Sequence, residues 1–250
     1  MTNATSAGKT LNLLEAVAGA RGGVMGVSDL ATAAHLPKST AHRLIKELEE
    51  RGLVGRLGTK YRVGNGLFKL LEAARWSEYG ELRDRSVATL SWLFDDGGAT
   101  VHLAVLEDAE VLYLEKITAA GGCRVPSRVG GRMPATCTAL GKALLAFGEP
   151  AVVQSLLLRP LPRVTAHSIT VPRLLVDDLV RARRDGVARE SEEAGLGFAC
   201  LAAPVLVAGR PVAAVSMSHP VGVPFTTRHE TMVREAAQRI AAMIRPGSDT

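Results

Sequence analysis

The stretch whose reading decides the fold is LPKSTAHRLIKELEERGLV, residues 36–54. Its apolar residues Ala41, Leu44, Ile45 and Leu48 stand at i, i+3, i+4 and i+7, the spacing of a single buried helical stripe. At about 100° per residue, Ser39, Arg43 and Lys46 fall opposite that stripe, with Thr40 and His42 on its flanks. The acids Glu47, Glu49 and Glu50 crowd the C-terminal end. Such a face suits either solvent or a polyanion, and the neighbouring segments must decide between them.

Upstream, KTLNLLEAVAGARGG sets Leu11, Leu14, Val17 and Ala18 at helical spacing ahead of Gly22 and Gly23, which predicts a first helix. In VSDLATAAHLP, Ser28 is the expected N-cap of a second helix, Leu30, Ala33 and Ala34 its packing face, and Pro37 the start of the next element. Three helices joined this closely are the layout of a helix-turn-helix, whose second member enters the major groove. Downstream, LVGRLGTKYRVG predicts strands over 53–57 and 60–63 joined at Gly58 and Thr59. Arg56, Lys60 and Arg62 would make this hairpin a cationic wing for flanking phosphates or the minor groove. The alternative is a small helical cap with a solvated hairpin. Charge favours the wing: the first 65 residues hold nine Lys/Arg against five Asp/Glu, so most of the net +5 sits in the first quarter of the chain.

The 250 residues are 47% hydrophobic and 22% charged, a composition suited to a globular protein of one large or two ordinary domains. No apolar run approaches the roughly 18 residues of a membrane span, and the polar start MTNATSAGKT has no signal-peptide core, so the expectation is a cytoplasmic protein without a membrane partner. Cys123, Cys137 and Cys200 are odd in number and widely spaced, and the six histidines form no HxxxH pair. Neither a disulfide framework nor a metal or other cofactor is expected, and no catalytic residue is assigned.

A strongly helical segment over 67–94, with a break near Gly80, carries Leu67, Leu70, Leu71 and Ala74, then Leu82, Val87, Leu90, Leu93 and Phe94. It reads as a linker helix, a dimer helix or both. The pattern then changes. ATVHLAVLEDAEVLYLEKI predicts two strands around a turn at 107–110, and FACLAAPVLVAGRPVAAVSMSH predicts two more around Ala208, Gly209 and Arg210. Helices are expected near 138–147, 150–158 and 174–184, with a last one over 227–244. The predicted division is a DNA-binding domain at 1–65, a linker helix at 66–80 and an α+β domain at 81–250.

LNLLEAVA, LPKSTAHRLIKELEERGLV, YRVG, VGGRMPATCTALGKALLA and EEAGLGFACLAAPV, in this order, give a chain that resembles the isocitrate-lyase-regulator (IclR) family of bacterial transcription regulators. The resemblance implies an N-terminal winged helix-turn-helix, a linker helix and a C-terminal effector domain similar to the GAF and PAS folds. It also implies homodimers or homotetramers on operator DNA, controlled by a small organic acid. ATCTALGKALLA is not a phosphate loop, because Thr136 stands where a Walker motif needs Gly and Ala143 where it needs Ser or Thr. Thr138 instead opens a helix, whose amides around Ala139 to Gly141 are expected to face a small carboxylate. By resemblance Ala139, Leu140, Cys200, Ser216 and Ser218 line the effector pocket, with Met133 and Thr138 beside them. Glu190 stands in ESEE where many members carry an acidic DDEE run, and Leu140 and Phe198 are larger or less aliphatic than is common there. All three alter the pocket's volume and leave the ligand open. Two other readings are a thiol enzyme or redox sensor built on one of the cysteines, and a constitutive architectural DNA-binding protein.

Overall fold

The computed structural model describes residues 5–67, 70, 79–119, 122–123 and 125–244. The chain divides into two compact units, one ending at Gly80 and the other starting at Glu81.

The first unit contains α1 (Ser6–Ala18), β1 (Met25–Gly26), α2 (Val27–Ala33), α3 (Lys38–Glu50), β2 (Val54–Leu57) and β3 (Lys60–Val63). Its core joins Leu13 and Val17 of α1, Leu30, Ala31 and Ala34, the α3 stripe Ala41, Leu44, Ile45 and Leu48, and Val54 and Tyr61 of the hairpin. Three local expectations are corrected. The α1 seam runs through Leu13 and Val17, whereas Leu11 is 58% exposed and Ala18 lies outside. Periodicity fixes a helix but its partners choose which side faces them. Ser28 lies inside the first turn of α2, whose N-cap is Gly26. Ala31 replaces Ala33 in the packing face. The strand β1, too short for a sequence pattern, adds to the hairpin in the order β1-β3-β2. The expected wing forms with Leu57 paired to Lys60 across Gly58 and Thr59, and Gly58 takes φ +59°, a conformation cheap only for glycine.

Most of the expected linker helix, at 68, 69 and 71–78, lies outside the described residues. The second unit has α4 (Gly80–Gly97), β4 (Thr100–Glu107), β5 (Glu110–Ile117), β6 (Arg132–Pro134), α5 (Ala139–Phe147), α6 (Pro150–Leu157), α7 (Pro172–Asp185), β7 (Ala188–Ser191), β8 (Phe198–Val207), β9 (Arg210–Pro220) and α8 (Thr227–Met243). The two hairpins read from sequence become the middle of a six-stranded antiparallel sheet ordered β6-β5-β4-β9-β8-β7. The short edge strands β6 and β7 are additions. On α4, Leu90 and Leu93 are buried but Val87 is 41% exposed, because Ser86 and Thr89 take the inward positions. Helix α8 packs on β8 and β9, and α5 also packs on these strands, on β7 and on α7.

Register places one polar row across the sheet. Glu190 pairs with Cys200, Cys200 with Ser218, and Ser218 with Thr100. Two residues along, Ala202 pairs with Ser216 and Ser216 with His102. Since side chains alternate along a strand, Glu190, Cys200, Ser218, Ser216 and His102 share one face. Cys200, Ala202 and Phe198 on that face join the core formed by α5 and α7.

Candidate functional site

Two surfaces carry the sequence-predicted residues, one in each unit. On α3, Ser39, His42, Arg43 and Lys46 are exposed and Thr40 is half-buried. Among the described residues, no side chain partners His42 or Arg43. Lys46 reaches Glu50 only at 4.0 Å, an exposed i,i+4 pair of little energetic weight. The N-cap of α3 is Pro37, which supplies no side-chain bond, and the first turn has no acid. Its leading amides are therefore left for an external anion, and Lys38, exposed at the first helical position, adds a cation there. Lys38 escapes a reading that counts only the face opposite the stripe. Its signal is a cation immediately after the proline that starts a helix.

The wing cations do not share a face. Arg56 pairs with Tyr61, lies 5.8 Å over its ring and donates Nε–H to the Gly58 carbonyl at 3.1 Å. Lys60 and Arg62 alternate to the other side, where the Arg62 side chain covers Gly55. Arg56 is thus tied to its own hairpin, whereas Lys60 is exposed at the tip.

In the second unit, Met133, Thr138, Ala139, Leu140, Glu190, Phe198, Cys200, Ser216 and Ser218 all border one cavity, together with His102, Tyr113, Val125 and Ala194. As the side chains stand it has room for about one water molecule. Thr138 caps α5 by accepting the Gly141 amide at 3.0 Å. That corrects one expectation, because the Gly141 N–H is already used and only the amides of Ala139 and Leu140 remain for a ligand. Position 141 admits no side chain, since a Cβ there would collide with the Ala135 backbone. This close approach seats the helix start against the turn that precedes it.

Glu190 is 4% exposed and accepts the Glu193 amide through Oε2 at 3.0 Å, while its Oε1 has no hydrogen-bond partner among the described residues. Burial pushes its acid up to about 7. Tyr113 is also raised, first by burial and then by Cys200 and Glu190, and its hydroxyl donates to Met133 Sδ at 3.6 Å. His102 is pulled down to about 3 by burial and by Lys116, so its imidazole is neutral. It shares hydrogen bonds with Ser127 Oγ at 2.7 Å and Ser216 Oγ at 3.4 Å. Lys116 donates to the carbonyls of Val125 at 3.0 Å and Ser127 at 2.8 Å. The strap from Val125 to Ser127, of which Val125 borders the cavity, is thus latched by His102 and Lys116.

Behind this wall of polar groups lies Lys142, 1% exposed, paired with Asp178 of α7 at 2.7 Å and with Glu193 at 2.6 Å. The Glu193 amide is the one that binds Glu190, so the pair fixes the segment that presents the pocket acid. His102 and Tyr113 were absent from the sequence reading. Their signal is a lone polar or aromatic residue at an inward position of an otherwise apolar strand.

The surroundings of the three cysteines do not support the thiol reading. Cys200 lies 3.1 Å from Ser218 Oγ, and burial raises it well above an ordinary thiol. Cys137 and Cys123 are likewise raised by burial, opposite to the depressed value of a reactive thiolate. Among the described residues no group of three or more His, Cys, Asp or Glu is arranged to hold a metal ion, and no helix is long and apolar enough to cross a membrane.

A winged helix-turn-helix unit whose third helix exposes cations on its N-terminal half, followed by an α/β unit with a small, largely apolar cavity edged by polar side chains, is the layout of a regulator that binds DNA and a small ligand. The comparisons name its family. Residues 6–58 match the IclR helix-turn-helix domain and residues 78–245 match the C-terminal domain of bacterial IclR transcriptional regulators, and the chain belongs to this family. It is 31% identical over 215 residues to the transcriptional repressor IclR of Escherichia coli, covering 84% of this chain and 78% of that protein. It is 30% identical to the regulator KdgR of Dickeya chrysanthemi over 242 residues, 93% of this chain and 77% of that one. Among solved structures, an IclR homologue from Microbacterium hydrocarbonoxydans complexed with 4-hydroxybenzoate superposes with a TM-score of 0.81 at 30% identity, over 97% of this chain and all of that chain. The IclR protein of Thermotoga maritima gives 0.79 at 28% identity, over 94% and 96% of the two chains.

Proposed function

We propose that this regulator reads an operator through α3 and the wing and is switched by a small organic acid bound at the start of α5. Ser39, Thr40, His42, Arg43 and Lys46 meet the major groove and its phosphates, with Lys38 added at the helix start. Arg43 is the base reader, since its guanidinium matches a guanine edge in two hydrogen bonds. Lys60 and Arg62 reach flanking phosphates, and Arg56 stiffens the wing. The protein acts on cytoplasmic DNA as a homodimer or homotetramer with no enzymatic step. Residues 1–65 and 81–250 are its two working parts.

The observation that carries the ligand reading is the convergence on one enclosed cavity of the free Ala139 and Leu140 amides with Ser216, Ser218, Cys200 and Glu190. Amides at a helix start favour a carboxylate, and the hydroxyls orient it. The bound 4-hydroxybenzoate of the Microbacterium relative makes aromatic hydroxy acids the first class to try. Because the cavity now has room for about one water, a ligand of that size requires part of its wall to move outward, and the strap that carries Val125 is the part proposed to give. Ligand then favours one arrangement of the subunits and changes the spacing of the two wings. A thermal-shift screen of aliphatic and aromatic acids, followed by gel shifts with each hit, tests this reading. A stabilising acid that also changes operator affinity supports it, and a flat panel overturns it.

A further inference from the structure

We propose that an organic acid occupies this pocket together with a proton held on Glu190, so that effector binding is coupled to proton uptake. The inference rests on the pocket reading above and concerns what balances the ligand's charge. Among the described residues, the cavity wall contains no Lys or Arg. Its donors are neutral: the Ala139 and Leu140 amides, Thr138, Ser216, Ser218 and the Cys200 thiol. The wall's one carboxyl group is Glu190, which is almost fully buried and has one oxygen without a partner.

The groups around Glu190 leave it to resolve the charge. Tyr113 on β5 and Cys200 on β8 stay protonated, since burial raises both. His102 on β4 is neutral, and Glu193 on the following segment is engaged by Lys142 of α5. Lys142 is itself shared with Asp178, so it is not a free countercharge for the pocket. A ligand carboxylate beside an ionised Glu190 would put two anions in one enclosed space with no cation between them. A protonated Glu190 removes the repulsion and supplies one more donor. No covalent bond changes: one proton passes from solvent to a Glu190 oxygen as the anion enters. Burial already holds this acid near 7, so the coupling operates around neutral pH.

The test is calorimetric titration of the full-length protein with 4-hydroxybenzoate between pH 5.5 and 8.5, in buffers of different ionisation enthalpy. Expected is uptake approaching one proton per ligand above pH 7, with affinity falling up to about tenfold per pH unit there and level below about pH 6. The Glu190→Gln protein, neutral at every pH, should bind without proton uptake and with a flat profile. Binding by the wild type without uptake overturns the inference and points to a ligand hydroxyl that donates to an ionised Glu190. A pH dependence that persists in Glu190→Gln also overturns it. No binding at pH 5.5, where Glu190 is already protonated, overturns the pocket reading itself for this class of acid.

Discussion

Helices α3 and α5 are built in opposite ways. On α3 the polar groups proposed to function stand in solvent, save the half-buried Thr40, and Arg43 has no partner among the described residues. On α5 every residue from Ala139 to Ala146 is buried, Lys142 included, and the residues around its start are fixed by a cap and a buried ion-pair cluster. A duplex brings its own regular geometry and dense charge, so a helix that reads it needs only correctly spaced, available side chains. A small ligand brings few groups, so its site must be set in advance by packing. The first surface should tolerate substitution without unfolding, whereas at the second a change in recognition should also change stability.

That contrast is broken most severely at Lys142. Replacing it with Met leaves Glu193 buried without its cation, while the half-buried Asp178 keeps Arg181 at 2.8 Å, and should cost about 3–5 kcal/mol of stability in chemical denaturation. A loss under about 1 kcal/mol would mean that water reaches the pair and that α5 is not held as described. Next comes pH. Glu190 titrates near 7 in the folded chain against 4.5 for an ordinary side chain, so the folded state favours its protonated form. The stability it contributes is present below about pH 4.5 and lost as pH rises through about 7, on the order of 3 kcal/mol in all. His102 works in the other direction, since its depressed value makes stability fall as pH drops from 6.5 towards 3. Comparing wild type with Glu190→Gln at each pH isolates the first effect, and parallel curves would show that Glu190 is solvated.

On the DNA side, Arg43→Ala should cost about 1–3 kcal/mol of specific operator binding in a gel shift while leaving the denaturation midpoint unchanged. Equal operator affinity would remove Arg43 from the interface, and a lowered midpoint would break the contrast with α5. The smallest effect belongs to Thr138→Ala, which removes the cap on Gly141 and should cost about 1 kcal/mol of thermal stability. The same substitution should weaken any acid that stabilises the wild type. Retained ligand shifts would place the ligand away from the helix start.

The first unit was largely legible because its signals are local. A helical stripe, a two-residue turn and a run of cations all fall within some thirty residues, and the wing formed at the expected positions. In the second unit, hairpins β4-β5 and β8-β9 were legible from alternation and turn residues. Edge strands β6 and β7, of three and four residues, were too short and polar to leave a pattern. The cavity was legible only through family resemblance, because pairing Ser216 with His102 joins positions more than a hundred residues apart. His102 and Tyr113 were missed for that reason. Leu11 and Val87 went wrong differently, since their own helices cannot say which side will meet a partner.

The strap latched by Lys116 and His102 also has a consequence in time. Three hydrogen bonds hold it beside a cavity that now has room for about one water, so entry of an effector of the size proposed should wait on an opening step. The observed binding rate should rise with effector concentration only until release of the latch becomes slower than encounter, and then level off.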